Sequence, residues 1–125
     1  MSISSDDAEI ISATPVLASL DIRKSVAFMI SKLGFTEIYA EQGAYGIVAR
    51  GPVQIHFWAC NDRSIAEATS CRLQVRGIES LYERCRQERI VHPNAPLGRK
   101  PWGLIEFAIL DLDGNLITFY EPATD

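Results

Sequence analysis

The sequence predicts an α+β fold made of two βαβββ modules. Both halves of the chain begin with a short apolar strand and a helical pattern, and both continue with further strands. The two halves also match when one is shifted along the other. A shift of 56 positions places Leu17 on Leu73 and Ile22 on Ile78, so that strand faces and helix faces coincide. The match indicates an internal duplication within a single domain over residues 14–122.

The first module is predicted over residues 14–62, after a flexible N-terminal tail of residues 1–13. Asp21 carries a side chain that can cap the start of a helix, and Gly34 can end that helix in the left-handed conformation. Between them, apolar side chains recur at helical spacing: Ile22, Val26, Met29, Ile30 and Leu33. Four segments are predicted as strands: residues 15–19, 35–40, 45–49 and 53–59.

The second module is predicted over residues 63–125, with a short linker at its start. A helix is indicated by four apolar residues at helical spacing: Ile78, Leu81, Tyr82 and Cys85. Three segments are predicted as strands: residues 71–75, 105–110 and 116–121. The last two flank the sequence DLDGN, which favours a tight turn over a calcium loop because no glutamate follows at the twelfth position. Residues 92–102 contain three prolines and are predicted to be mostly loop.

Composition excludes several classes of function. Hydrophobic residues make up 47% of the 125 residues and charged residues 22%, as in ordinary globular domains. The net charge of −4 argues against a nucleic-acid partner, which needs clustered lysine and arginine. No apolar run approaches the length that crosses a membrane, and the acidic N-terminus is unlike a secretory signal. Three cysteines without CxxC spacing predict free thiols, so we expect a cytoplasmic protein.

Three segments carry a resemblance to a known family. These are SATPVLASLDIRKSVAFMISKLGF, QVRGIESLY and KPWGLIEFAILDLDGNLITFYEP. They resemble the bleomycin resistance proteins, which belong to the vicinal-oxygen-chelate (glyoxalase–bleomycin resistance–dioxygenase) superfamily. The resemblance extends from about Ala13 to Pro122. The first segment and the DLDGN turn are general to the superfamily, whereas RGIESLY together with PWG is more specific to the drug-binding branch.

The resemblance implies a fold, an assembly and a function. Each βαβββ module would form a curved mixed sheet, and paired modules would enclose a concave site. The chain would form a homodimer that exchanges its N-terminal strand at Pro15, and the dimer would hold two drug molecules in clefts at the interface. The function implied is antibiotic resistance: the dimer would sequester a bleomycin-type glycopeptide, metal-free or metal-loaded, without chemistry.

A metal-dependent enzyme of the same superfamily is the main alternative. By the matching motifs, the metal-ligand positions of such relatives fall at Thr14, His56, Ser70 and Thr118. Only His56 offers a nitrogen ligand, and three hydroxyls are poor ligands for divalent zinc, iron or manganese. We therefore expect no metal, no cofactor and no catalytic residue. A lyase, an isomerase, a dioxygenase or a thiol transferase remains the runner-up, and a binder of another aromatic small molecule is a further alternative.

Seven residues are candidates for ligand contact. In the strand VQIHFWA, side chains alternate between the two faces, so His56 and Trp58 share one face. The resemblance places that face toward the cleft and implies ligand contacts for the whole set: Tyr39, Tyr45, His56, Trp58, Arg72, Trp102 and Glu106. Glu106 would meet either a cationic group of the ligand or an arginine. Arg72 departs from the family, because one branch carries a tryptophan there that stacks on the drug.

Overall fold

Two four-stranded mixed sheets form the framework of this computed structural model, which describes residues 6–124. The first module contains β1 (Val16–Ser19), α1 (Ile22–Leu33), β2 (Thr36–Glu41), β3 (Tyr45–Arg50) and β4 (Val53–Ala59). After α2 (Arg63–Glu67), the second contains β5 (Ser70–Gln74), α3 (Ile78–Gln87), β6 (Gly98–Arg99), β7 (Leu104–Leu110) and β8 (Leu116–Pro122). The strand orders β1-β4-β3-β2 and β5-β8-β7-β6 are the same topology twice. The predicted α+β fold with a duplicated module is therefore confirmed.

Each sheet combines one parallel pair with antiparallel pairs. The first strand of each module runs parallel to the last one, so β1 lies beside β4 and β5 lies beside β8. The remaining neighbours are antiparallel. A parallel neighbour requires a crossover, which α1 and α3 begin in their modules. One face of each sheet packs into the core, and the other face stays open.

Helix α1 has the boundaries that its sequence predicts. The Asp21 carboxylate accepts a hydrogen bond from the Lys24 backbone N–H at 3.1 Å, and Gly34 ends the helix at a φ of 70°. The predicted apolar face is buried with one exception: Ile30 is 41% exposed, and Phe28 is buried in addition. Helix α3 begins differently, because Gly77 has no capping side chain and the Glu121 carboxylate accepts from the N–H groups of Gly77 and Ile78 instead.

Two short elements depart from the sequence prediction. The five-residue helix α2 lies in the segment that was expected to be a linker, and the Asp62 carboxylate caps it through the Ser64 N–H at 2.9 Å. Strand β6 lies within the predicted loop of residues 92–102 and pairs with β7 through Gly98 and Arg99. Both elements are too short for an apolar period to show in the sequence.

One hydrophobic core joins the two modules. Side chains from both sheets and both long helices form a single buried cluster that includes Leu17, Met29, Phe57, Phe107 and Phe119. A polar contact also joins the modules: the buried Asn115 amide donates to Ala18 O at 2.8 Å, and its oxygen accepts from Ala18 N at 3.2 Å. The relative position of the two open sheet faces is therefore fixed by packing and by hydrogen bonds.

The N-terminal segment lies outside this core. Of the predicted tail, residues 1–5 fall outside the described residues, and residues 6–13 are exposed and form no helix or strand. Two large apolar side chains of this segment face solvent, Ile10 at 94% and Ile11 at 79% exposure. The three cysteines are free, with Cys60 and Cys85 buried and Cys71 partly buried. In the part of the chain that is described, no helix is long and apolar enough to cross a membrane.

Candidate functional site

The open face of the first sheet gathers four of the seven candidate residues. Strand β4 alternates as predicted: Ile55 and Phe57 are fully buried in the core, and His56 and Trp58 lie on the opposite face. Cross-strand pairing extends this face, because Tyr45 pairs with Trp58, and Ile47 pairs with both His56 and Tyr39. Tyr39, Tyr45, His56 and Trp58 thus lie on one side of three neighbouring strands.

His56 is fixed in place by two hydrogen bonds. Its Nδ1 lies 2.8 Å from the Tyr45 hydroxyl, and its Nε2 lies 3.1 Å from Gln54 Oε1. Because a carbonyl oxygen only accepts, Nε2 donates to Gln54, and in the neutral imidazole Nδ1 accepts from the Tyr45 hydroxyl. The Tyr45 and His56 rings also meet edge to face, with centroids 5.4 Å apart. Both ring nitrogens are therefore occupied, and the two rings form a rigid unit.

Trp58 and Tyr39 offer aromatic surface to solvent. Trp58 is 38% exposed and Tyr39 is 46% exposed, which is high for side chains of this size in a sheet. The Tyr39 hydroxyl donates to the Glu41 carboxylate at 2.7 Å, and this interaction raises the pKa of Tyr39 above its ordinary value. The hydroxyl is thus engaged at the edge of the sheet, while the ring stays free for contact.

A buried carboxylate organises the open face of the second sheet. Glu106, only 6% exposed, accepts from Arg72 Nη2 at 2.6 Å and from Arg72 Nη1 at 3.3 Å. The Arg72 guanidinium also lies over the Tyr120 ring, 4.9 Å from its centroid. The Arg72 hydrogen bonds are the largest cause of a pKa of Glu106 below its ordinary value, with a smaller contribution from Trp102. Glu106 is therefore a charged carboxylate at neutral pH that already has a cationic partner.

Trp102 is presented by the turn that joins β6 to β7. Gly103 N donates to Lys100 O at 3.0 Å, which closes a turn with Pro101 and Trp102 at its centre and Gly103 at a φ of 86°. The indole is 64% exposed, and its Nε1 donates to Glu106 Oε2 at 2.8 Å. This single hydrogen bond orients a ring that otherwise stands clear of the sheet.

The structure brings the seven candidates together in two groups. Tyr39, Tyr45, His56 and Trp58 share the first sheet, and Arg72, Trp102 and Glu106 form one connected cluster on the second. No hydrogen bond or ring contact within residues 6–124 joins one group to the other. A single chain therefore carries these two groups, the candidate half-sites, on two separate sheets.

Sequence reasoning missed three parts of these half-sites. Tyr120 supports Arg72, Gln54 holds His56, and the proline-rich loop with Lys100 encloses a cavity of about 220 Å³ above Glu106 and Thr118. The alternation along β8, which places Thr118 and Tyr120 on one face, was a signal that could have identified Tyr120. The alternation along β4 likewise places Gln54 on the face of His56, whereas the cavity depends on the path of a loop, which no period in the sequence encodes.

The residues present do not fit a catalytic metal. Of the four superfamily positions, Thr14, Ser70 and Thr118 offer hydroxyls, and His56 would lose a hydrogen bond to bind an ion. Within residues 6–124, no three histidine, cysteine, aspartate or glutamate side chains lie together in a way that could hold a metal. The buried Asp111 and Asp113 are used in the turn before β8, where Asp111 accepts from the N–H groups of Asp113 and Asn115.

Comparison with known proteins gives a consistent result. No protein-family model matches the chain. The bleomycin resistance protein of Geobacillus stearothermophilus is 35% identical in an alignment 124 positions long that covers 86% of this chain and 93% of that protein. The bleomycin-binding protein of Streptomyces verticillus, solved as a complex with copper(II)-bleomycin, superposes with a TM-score of 0.80 at 26% identity and covers 94% of this chain and 99% of its own. A glyoxalase-related enzyme from Clostridium phytofermentans shares the fold, with a TM-score of 0.77 at 20% identity. The superposition covers 94% of this chain and 99% of that enzyme.

Proposed function

The chain belongs to the bleomycin resistance protein family, and we propose that it sequesters a bleomycin-type drug in aromatic clefts at a dimer interface, without chemistry. Drug resistance follows because the bound drug is withheld from its target. Free thiols at Cys60, Cys71 and Cys85 favour action in a reducing compartment such as the cytoplasm.

The exposed aromatic face of the first sheet carries this proposal. Trp58 and Tyr39 expose ring surface, and Tyr45 is held rigid by His56, so little conformational entropy is lost when a flat ligand binds. Each pair of stacked rings contributes about 0.5–1.5 kcal/mol beyond burial. These rings suit a flat heteroaromatic group such as the bithiazole of bleomycin.

The second half-site supplies polar and cationic contacts. Trp102 adds a further exposed ring, and Arg72 presents a guanidinium that Glu106 and Tyr120 hold in place. Because Glu106 already accepts from two side chains, Arg72 and Trp102, it would attract a cationic drug tail less strongly than an unpaired carboxylate. Bleomycin itself therefore gains less from Glu106 here than it would from a free acid, and binding depends mainly on the rings.

Dimerisation would bring the two kinds of half-site together. Each chain leaves both sheet faces open, so a second copy can complete each site with the opposite face. The exposed Ile10 and Ile11 precede Pro15, whose fixed φ and missing donor suit the hinge of an exchanged segment. Covering these two isoleucines against a partner would remove the largest exposed apolar side chains of the N-terminal segment from water.

Sequestration without chemistry distinguishes this proposal from the enzymatic alternative. Relatives of the same fold include enzymes by name, so the fold does not decide between the two. The test is metal analysis of protein purified without chelator, followed by mass spectrometry of drug released from the protein. Sequestration predicts no stoichiometric zinc, iron or manganese and a drug of unchanged mass, whereas stoichiometric metal with altered drug would support the enzyme.

Binding itself is tested by titrating the protein with metal-free and with copper(II)-loaded bleomycin while tryptophan fluorescence is followed. Trp58 and Trp102 are the only two tryptophans, and both lie in the half-sites. We expect a saturable change at micromolar drug. A fluorescence signal that stays linear with added drug would contradict the proposal.

A further inference from the structure

An open groove that none of the seven candidate residues lines is bordered by arginine. It lies between the modules, has a volume of about 520 Å³, and is bordered by Arg50 at the end of β3, by Arg76 before α3 and by Arg84 within α3. No aspartate or glutamate lines it among the described residues. Three cations that share one groove stand out in a chain whose net charge is −4.

Two of these arginines are held in fixed positions by the end of α1. Arg50 Nη1 donates to Leu33 O at 3.1 Å, and Arg84 Nε donates to Lys32 O at 2.9 Å. These bonds satisfy carbonyl groups that a helix leaves unpaired at its C-terminus. They use only part of each guanidinium, which has five N–H donors, so the remaining donors are available in a preorganised arrangement.

Arg50, Arg76 and Arg84 line one groove, and none of them forms an ion pair with a carboxylate among residues 6–124. Both Arg50 and Arg84 act on the nearby Cys85 thiol and lower its pKa, although burial outweighs them and raises that pKa to about 11. Neither arginine forms an ion pair in the part of the chain that is described, and Arg76 makes no side-chain hydrogen bond there. Like charges in this arrangement repel each other, and a bound anion would offset the repulsion.

Nearby carboxylates are already engaged elsewhere. Glu88 pairs with Lys32 at 3.2 Å, and Glu121 accepts from the backbone of Gly77 and Ile78. Glu121 thus already occupies the first N–H groups at the N-terminus of α3, and the three arginines supply the positive charge along the groove.

The groove also has apolar walls. Phe35, Leu81 and Phe119 line it beside the arginines, and the Ser80 hydroxyl adds a neutral donor. We propose that the groove is a binding site for small organic anions, in which arginines hold a phosphate or carboxylate group and the apolar walls hold an aromatic or aliphatic body. The groove adjoins a hollow lined by Arg72, but none of the seven candidate drug-contact residues lines the groove itself.

The test uses phenyl phosphate and the full chain. Nuclear magnetic resonance of ¹⁵N-labelled protein would follow backbone and arginine Nε signals during the titration. We expect saturable shifts around Arg50, Arg76 and Arg84, and none with benzyl alcohol, which has a similar apolar body without charge. Arg76→Gln removes a charge but no hydrogen bond, so the fold is retained, and the Kd should rise about tenfold, as for one charge-assisted hydrogen bond.

Arg23→Gln is the matched control, because it removes an exposed arginine of α1 whose side chain makes no hydrogen bond among residues 6–124. Its Kd should equal that of the original protein. The proposal is overturned if no shift saturates, if Arg76→Gln binds as tightly as the original, or if the shifts map to Trp58 or Trp102. Binding that appears only after Asp6, Asp7 and Glu9 are neutralised would also overturn it, because the acidic N-terminal segment would then be the occupant.

Discussion

Glu106 is the residue on which the second half-site depends. A carboxylate that is only 6% exposed loses most of its hydration, and the two Arg72 donors and the Trp102 indole replace that hydration with hydrogen bonds. The arrangement also fixes the two partners, since Arg72 and Trp102 are largely exposed side chains that would otherwise move freely. One buried acid thus holds a cation and a ring in place.

The lowered pKa of Glu106 predicts a pH-dependent contribution to stability. Its folded-state pKa lies below the ordinary 4.5, so the unfolded chain binds more protons in the acidic range, and the stabilisation is lost as the pH falls through the folded value. We expect the difference in free energy of unfolding between the original protein and Glu106→Gln to be full near pH 6 and to shrink below about pH 4.5. Urea unfolding at several pH values measures it. A difference that stays constant with pH would contradict this account. The control is Glu83→Gln, which removes an exposed ion pair with Arg86 and should change the free energy of unfolding less at every pH.

Among single substitutions, we expect the loss of the Trp102 side chain to reduce drug affinity most. Trp102→Ala should weaken binding of copper(II)-bleomycin at least about tenfold, because an exposed ring at a binding site is removed without disturbing the core. Trp102→Phe keeps a ring but loses the indole donor to Glu106. Its drug affinity should lie between those of the original protein and Trp102→Ala. Isothermal titration calorimetry measures the three affinities. An unchanged affinity in Trp102→Ala would remove this residue from the site.

At the scale of elements, the turn between β7 and β8 joins the second module to β1. Asn115 is fully buried and bonds both backbone groups of Ala18, while Asp113 accepts from Leu20 N at 3.1 Å. Gly114 permits the turn, with a φ of 95° and Glu67 so near that a Cβ would lie 2.8 Å from its Cγ. The DLDGN sequence is therefore both a hairpin turn and a connection between modules.

Removal of the Asn115 amide should destabilise the protein strongly. Asn115→Ala leaves two buried backbone groups of Ala18 without partners, which costs on the order of 2–4 kcal/mol in the free energy of unfolding. Chemical denaturation measures the loss. Asn94→Ala, in the exposed proline-rich loop, is the matched control and should change stability by less than about 0.5 kcal/mol. Equal stability of the two variants would show that the Asn115 contact contributes nothing to holding the modules together.

The helices and strands could be predicted where the sequence shows a hydrophobic period or a helix-capping residue. Asp21 and Gly34 marked both ends of α1, and alternation in VQIHFWA placed Ile55 and His56 on opposite faces. The pairing of Arg72 with Glu106 was open in the sequence, because 34 residues separate them and only the register of β5, β8 and β7 brings them together. Strand β6 was missed because two residues carry no alternation.

At the scale of the whole molecule, the proposed dimer would bring the two half-sites together. They lie on separate open faces, and the exposed Ile10 and Ile11 extend from the first module beyond Pro15. A second copy would cover these isoleucines and complete the aromatic clefts. Whether a cleft exists thus depends on the partner as well as on the fold of one chain.

The exposed isoleucines of the N-terminal segment lead us to expect a dimer. Light scattering of the full chain should give about 28 kDa, twice the 13.9 kDa of one chain, and deletion of residues 1–11 should shift the equilibrium to the monomer. The double substitution Ile10→Ser and Ile11→Ser should also shift the equilibrium towards the monomer. The shift should be smaller than that of the deletion, since the backbone of the segment remains. A full chain that scatters as 14 kDa would contradict the proposed dimer.

The most direct test of sequestration between subunits is native mass spectrometry of the protein with copper(II)-bleomycin. The account predicts a dimer of about 28 kDa that carries two intact drug molecules, with drug released unchanged on denaturation. A single chain of 13.9 kDa that carries drug, a dimer that carries none at micromolar drug, or released drug of altered mass would contradict it.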